Sequence, residues 1–366
     1  MKKITPGFLK TLFLIVVVGF VSGALGSIAA WSILLGYQNG LSVSNNPNIL
    51  IERNAAQNTA ESLALVIAEK VDSARVDFFV DGVSGVGDRY FSRDAFANGI
   101  VLTSDGWIIG PRSVIERAHL QNLRVGIGLS IYIPEEIVED TETGMVFLRL
   151  PARNLHAATF GKSNAVWNGG ALTLVTDEYA FQNVVVSRTE TPLYAQSDEI
   201  STAYVMDKEI SDKDYGSVIV DGNGAVIGIV GSDKQIILSD HLTSVIDSLF
   251  AEGRLLRPAL GVRGIHLSGV RNEVGTRERG FLITRDRVRG LPAVISGSSA
   301  ANVGLKDGDI LIRINDEVIN GGLQLSELLL AWKAHDKVDL RVVRGGEEII
   351  IPVELGVRES GKVILK

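Results

Sequence analysis

The stretch SDKDYGSVIVDGNGAVIGIV, Ser211 to Val230, has the cadence of a loop that presents a nucleophile, followed by strand, turn and strand. Its centre is Tyr215, with Ser211 and Ser217 on either side. A serine hydroxyl attacks a carbonyl only when a base stands within hydrogen-bond reach. Five histidines could supply one: His119, His156, His241, His266 and His335. For each, a surface or packed structural role is the preferred reading, and Tyr215 as a catalytic phenol has no evident partner. No histidine pair has the spacing of a helical zinc site. The chain has no cysteine, which excludes thiol catalysis, disulfides and Cys-based zinc sites. No cofactor and no metal are expected. Glu135, Glu136, Glu139, Asp140 and Glu142 form an acidic run, read as a solvated loop rather than a cation site.

These residues need elements to position them. From Arg75 to about Ile237 short apolar runs alternate with turns, the pattern of an all-β sandwich or barrel. GIVLTSDGWIIG (99–110) is a strand pair around Asp105-Gly106, a strong hairpin cue. MVFLRL, ALTLV, VVVSR, VIV and AVIGIV continue the rhythm. Helical spacing returns in Leu242–Phe250. Beyond the junction Glu252–Pro258, a short helix (Ser299–Val303), a strand pair at Asn315-Asp316, a helix (Leu323–Lys333) and a hairpin at Gly345-Gly346 make a compact α+β module.

Lys2, Lys3 and Lys10 precede an uncharged stretch from Thr11 to Ile51, of which Leu12–Tyr37 is predominantly apolar. About 20 such residues cross a bilayer as a helix, with the basic side cytoplasmic. Trp31 and Tyr37 sit where an interfacial aromatic belt falls. A cleaved signal peptide is the competing reading, but its apolar core is about 7–15 residues, shorter than this one. Either way the bulk of the chain is expected outside the cytoplasm, at the cell membrane as a single-pass protein. A polar spacer (Ser42–Asn48) and a helix (Thr59–Val71) follow. The net charge of −7 gives no nucleic-acid footprint.

AVISGSSAANVGLKDGDILIRINDEVING, with its closing hairpin, resembles a PDZ domain of the bacterial HtrA type. Upstream, ANGIVLTSDGWIIG is similar to the strand pair opening the HtrA trypsin-like core. TFGKSNAVWNGGALTLV is similar to that family's "LGxSxxxxxGxxVxAIG" segment. VMDKEIS and GNGAVIGIV resemble the frame around its nucleophile, with Asp207 and Gly224 fixing the alignment. The order of anchor, spacer, core and single PDZ domain resembles the DegS-like branch. The resemblance implies a mostly β chain: cytoplasmic tail 1–10, transmembrane helix 11–37, spacer and helix 38–74, trypsin-like double β-barrel 75–252 and α+β PDZ domain 253–358.

A serine protease of this kind needs a hydroxyl, an imidazole and an orienting carboxylate. The resemblance puts Ser113 at the histidine ("TNxHV"), Gly144 at the aspartate ("TDLAVLKI") and Tyr215 at the serine ("GNSGGPL"). Lys213 replaces a glycine of the oxyanion loop, where positive φ favours glycine. The expectation is therefore of a chain that is not an enzyme, a degenerate serine protease homologue. The alternative is an active endopeptidase using relocated residues.

In the family, PDZ domains hold a peptide C-terminus as an added strand, its carboxylate received by backbone N–H groups. Leu260-Gly261-Val262 matches the receiving loop, Val262–Leu267 with Ile265 would pair with the ligand, and Leu325, Leu328 and Leu329 would wall the groove unless they are simply core. The resemblance implies binding of protein C-termini or unfolded polypeptides as a sensor, scaffold or regulatory subunit in envelope quality control. It also implies a trimer, or a hetero-oligomer with an active relative.

Overall fold

The run RVDFFV forms β1 (Arg75–Val80), part of an antiparallel sheet with β2 (Ala97–Val101), β3 (Trp107–Pro111), β4 (Leu123–Ile127), β5 (Ser130–Tyr132), β6 (Glu136–Asp140) and β7 (Met145–Arg149), in the order β6-β7-β3-β2-β1-β4-β5. Every residue of β2 and β3 is buried, the polar Asn98 included, so these strands show no alternation of buried and exposed positions. Gly99 and Gly110 leave room for the Phe78 ring, which a side chain at either position would strike. The computed structural model describes residues 70–82, 89–162, 171–176, 181–269, 279–319 and 324–365. All of them fall in one unit, Leu63–Lys366. The expected transmembrane stretch 11–37 lies outside the described residues, as does all but the last turn of the helix expected before β1. Among the described residues no helix is long and apolar enough to cross a membrane.

The second half of the core holds β8 (Ala171–Val175), β9 (Phe181–Glu190), β10 (Ala195–Gln196), β11 (Ala203–Met206), β12 (Val218–Val220), β13 (Val226–Val230) and β14 (Ile236–Leu238). Its sheet runs β11-β9-β8-β12-β13-β14 and omits β10. The C-terminal module has β15 (Leu256–Ala259), β16 (Arg263–His266), β17 (Phe281–Ile283), β18 (Ile310–Ile314), β19 (Glu317–Val318), β20 (Lys337–Arg344), β21 (Glu347–Glu354) and β22 (Gly356–Glu359). Its sheet is ordered β16-β17-β18-β20-β21, β19 pairs with β18, and β10 of the core is added on the free edge of β16. At the β20–β21 turn, Gly345 and Gly346 have φ of 60° and 89°, the pair of positive values that a two-residue type I′ loop needs. Last, β23 (Gly361–Leu365) leaves this module and pairs with β6, completing the first sheet to eight strands.

Three sequence expectations are corrected here. The helix expected over Leu242–Phe250 is two short ones, Ser239–Thr243 and Ile246–Glu252. The hydroxyls of Ser244 and Ser248 donate to the His241 and Val245 carbonyls, competing locally with the helical ladder. The helix expected over Leu323–Lys333 spans only Leu325–Leu329 within the described residues. The amides of Ala331 and Trp332 bond three residues back, which tightens and ends it. The acidic run is no solvated loop either. Glu136, Glu139 and Asp140 lie on strand β6, with Glu135 and Glu142 flanking it, and Glu139 and Asp140 are buried and paired with Arg112 and Arg257 respectively.

Candidate functional site

The three positions that the resemblance pairs with catalytic residues come from neighbouring segments. β3 ends at Pro111, and Ser113 opens the helix Ser113–Asn122. The Ser113 amide donates to the Ser232 hydroxyl at 2.8 Å, while its own Oγ is buried without a partner. Gly144, just before β7, has φ 66° and its carbonyl accepts from the Arg112 amide at 2.9 Å. Arg112, Gly144 and Ser232 line one cavity of about 280 Å³, together with Glu142, Ile200 and Asp233.

Tyr215 caps the turn Asp212–Asp214. Its hydroxyl donates to Asp212 Oδ1 at 3.0 Å. Burial, and then that carboxylate, raise its pKa. The amides around it are committed inward: Asp214 to the Ser211 carbonyl, Tyr215 to Asp212, Gly216 to Val230 and Ser217 to Asp214. A side chain at Gly216 would collide with the Asn98 carbonyl, so the turn lies against β2.

Among the described residues no hydrogen bond joins a histidine to the Ser113, Ser217 or Tyr215 hydroxyl. His119 sits at a kink in its helix with φ 46° and is exposed, as is His156. His335 is 70% exposed and lies 3.6 Å from Glu354. His241 is buried, and burial followed by the nearby Arg257 charge lowers its pKa to about 3. His266 accepts from the Leu325 amide through Nε2 at 3.2 Å, and burial lowers its pKa to about 4. Ser113 and Ser217 hydroxyls have no hydrogen-bond partner, so neither is bonded to an imidazole.

Both depressed histidines tie stability to pH. A histidine held neutral in the fold contributes fully above its unfolded pKa of about 6.5, and that contribution is lost as pH falls towards the folded value. Between pH 6.5 and about 4 the unfolding free energy should therefore decline by up to about 1.4 kcal/mol per pH unit for each group. Glu327, whose pKa burial raises, acts with the opposite sign near its own range. The clean measurement is urea unfolding of wild type against His266→Gln, whose pH slope should be shallower by close to one proton.

The second place of interest is the loop before β16. Gly261 has φ 86°, and a side chain there would collide with Ser298. The Leu260 and Gly261 carbonyls accept from the Ala300 and Ile295 amides, both at 2.9 Å. With the carbonyls tied behind, the amides face forward, and all three have acceptors. Leu260 and Gly261 donate to Asp198 Oδ1 at 2.8 and 3.1 Å. Gly261 and Val262 donate to Ser197 Oγ at 3.1 and 3.0 Å. The side chains of Leu260, Val262, Leu325 and Leu329 are buried in the hydrophobic cluster of the module, and Leu328 packs partly buried against it. Ile265 is half-buried on β16.

Sequence reasoning missed the groups that join core to module. Arg257 on β15 donates to both oxygens of Asp140 at 3.0 and 2.6 Å, to the His241 carbonyl at 2.9 Å and to the Ser360 hydroxyl. Tyr204 donates to Glu327 at the start of the helix Leu325–Leu329, at 2.9 Å. Arg358 reaches the Asp198 carbonyl and the Glu142 carboxylate. Apart from Arg257 and the His241 carbonyl, 16 residues apart, each pair is more than 100 residues apart in sequence, and neither spacing nor periodicity marks it.

The architecture is that of a mostly β, trypsin-like core followed by a PDZ domain. The PDZ domain family matches residues 258–355. A probable periplasmic serine endoprotease DegP-like from Marinomonas sp. is 27% identical over 290 residues, 73% of this chain and 58% of its own. A serine protease Do-like HtrA from Lactobacillus helveticus is 25% identical over 272 residues, 68% of this chain and 65% of its own. The chain thus spans less than two thirds of the length of these relatives. Among solved structures, HtrA-type protease AlgW with decapeptide covers 81% of this chain and 98% of its own at TM-score 0.51 and 18% identity. The same protease with tripeptide gives TM-score 0.51 at 19% identity, over 81% of this chain and 97% of its own. The chain thus has a trypsin-like fold with a C-terminal PDZ domain and is similar to HtrA-type serine proteases.

One expectation is corrected by these matches. The chain was expected not to be an enzyme, because Ser113, Gly144 and Tyr215 stand at the positions paired with the triad. The relatives it matches along about 70% of its length are named a serine endoprotease and a serine protease, and they point to an enzyme.

Proposed function

We propose that the chain is an HtrA-type serine endopeptidase of the cell envelope that recruits polypeptides by their C-termini through its PDZ domain. Hydrolysis then uses groups other than Ser113, Gly144 and Tyr215. The envelope location follows the relatives named periplasmic, with the apolar stretch 11–37 as a single-pass anchor and the rest of the chain extracytoplasmic. Assembly follows the HtrA pattern, as a trimer or with an active relative. The observation that carries C-terminus recruitment is the loop Leu260-Gly261-Val262. Its consecutive amides converge on a carboxylate and a hydroxyl, the donor set by which backbone captures a terminal carboxylate.

Two measurements on the purified chain test this reading. With casein and a fluorogenic peptide library, cleavage should appear together with time-dependent fluorophosphonate labelling at one serine, both lost when that serine becomes alanine. No cleavage and no labelling would refute the endopeptidase assignment. Peptides with an apolar C-terminal residue should bind with a free carboxylate and lose binding when amidated. Equal binding of both forms would refute C-terminus recruitment.

A further inference from the structure

The free edge of β16 and the amides of Leu260, Gly261 and Val262 are where an added peptide would lie, and this edge is already taken. Strand β10, which belongs to the core by chain order, pairs antiparallel with β16 through Ala195 opposite Gly264 and Gln196 opposite Arg263. The ladder continues with the Ser197 amide donating to the Val262 carbonyl at 2.9 Å. One residue on, the Asp198 carboxylate receives the Leu260 and Gly261 amides. Ala195 is the one residue from the core half that joins the module's buried hydrophobic cluster, among the described residues. An extended strand, a small apolar side chain in the module's core and a carboxylate at the end of the strand are what a bound C-terminus presents.

We propose that Ala195–Asp198 is an internal ligand of the PDZ groove, with the Asp198 side chain standing in for a terminal carboxylate. This rests on the reading that the groove takes polypeptide C-termini. The segment is fixed at both ends of its carboxylate. Ser197 Oγ donates to Asp198 Oδ1 at 2.6 Å, and Arg358 holds the Asp198 carbonyl. An incoming C-terminus must therefore displace a tethered competitor, whose effective concentration is set by the chain itself. The apparent affinity for outside peptides is lowered by the fraction of molecules in which the groove is open.

The test uses the full chain as wild type, Asp198→Ala and Asp198→Asn, each checked for an intact unfolding transition. Hydrogen–deuterium exchange of the peptide containing 260–262 reads the self-contact with no ligand present. Exchange there should accelerate in Asp198→Ala and, by a smaller factor, in Asp198→Asn. Unchanged exchange would show that the carboxylate does not hold these amides and would sink the proposal. Binding of a free-carboxylate decapeptide ending in valine should tighten on the order of tenfold in Asp198→Ala, as expected when a closed fraction is released. Equal affinity for wild type and Asp198→Ala would overturn the internal ligand while leaving C-terminus recruitment standing. Faster exchange with no peptide binding in any variant would do the reverse, supporting the self-contact and removing the C-terminus reading.

Discussion

Arg257→Ala is expected to lower the unfolding free energy by about 3–5 kcal/mol, the cost of leaving one member of a buried ion pair without its partner. The side chains of Arg257 and Asp140 are 4% and 0% exposed, so water cannot replace what is lost. Asp140 also accepts from the Thr143 hydroxyl at 2.7 Å and the Glu142 amide at 3.2 Å, so its carboxylate orders the turn that carries Gly144. On the other side the guanidinium holds the His241 carbonyl and Ser360. Four segments therefore meet at one charge pair: the end of β6, the helix Ser239–Thr243, β15, and the link from β22 to β23. Urea unfolding measures the loss, and hydrogen exchange should show β23 released from β6 before the rest of the first sheet opens. The double variant Asp140→Leu with Arg257→Met should recover much of the loss, because a well-packed apolar pair carries no desolvation cost. An Arg257→Ala chain within about 1 kcal/mol of wild type would show that the pair does not join the two parts.

Local chemistry was legible and long-range pairing was not. Asp105-Gly106 and Gly345-Gly346 announced their hairpins because positive φ is confined to few residue types. The PDZ loop was readable for the same reason, since Gly261 sits where a side chain would strike Ser298. The acidic run misled because its charges suggest solvent. The partners that make burial tolerable, Arg112 and Arg257, lie 27 and 117 residues away from Glu139 and Asp140 (139 − 112 and 257 − 140), and burying charge is acceptable only once such partners arrive. Strand β10 is two residues long, too short for any period to show. Its pairing with β16 depends on the whole core having folded beside the module. The tyrosine of the loop at 211–217 was plain in the sequence. That the amides around it turn inward, to Ser211, Asp212, Asp214 and Val230, could not be read from residue types, because every residue has the same N–H to give.

Gly216→Ala is expected to destabilise the core by about 2–5 kcal/mol, which combines backbone strain at positive φ with overpacking of a closed site. Gly216 has φ 80°, and an added Cβ would collide with the Asn98 carbonyl and come within 3.0 Å of Pro111 Cδ. Neither obstacle is the free end of a flexible side chain. Asn98 belongs to β2, and its amide donates to the Tyr215 carbonyl at 2.9 Å. The Gly216 amide reaches the Val230 carbonyl at 2.8 Å, and the Val230 amide returns to Ser217 at 2.9 Å. The turn after Tyr215 is thus bonded at once to β2 of the first sheet and β13 of the second, and moving it to admit a methyl group strains both. Gly222→Ala is the matched control: nothing lies within 4 Å of an added Cβ there and its φ is not positive, so its effect should stay within about 0.5 kcal/mol. Unfolding midpoints of the two variants that agree would mean that the turn is free to shift. A large gap between them would mean that whatever chemistry this loop supports is carried on a backbone clamped between the two halves of the core.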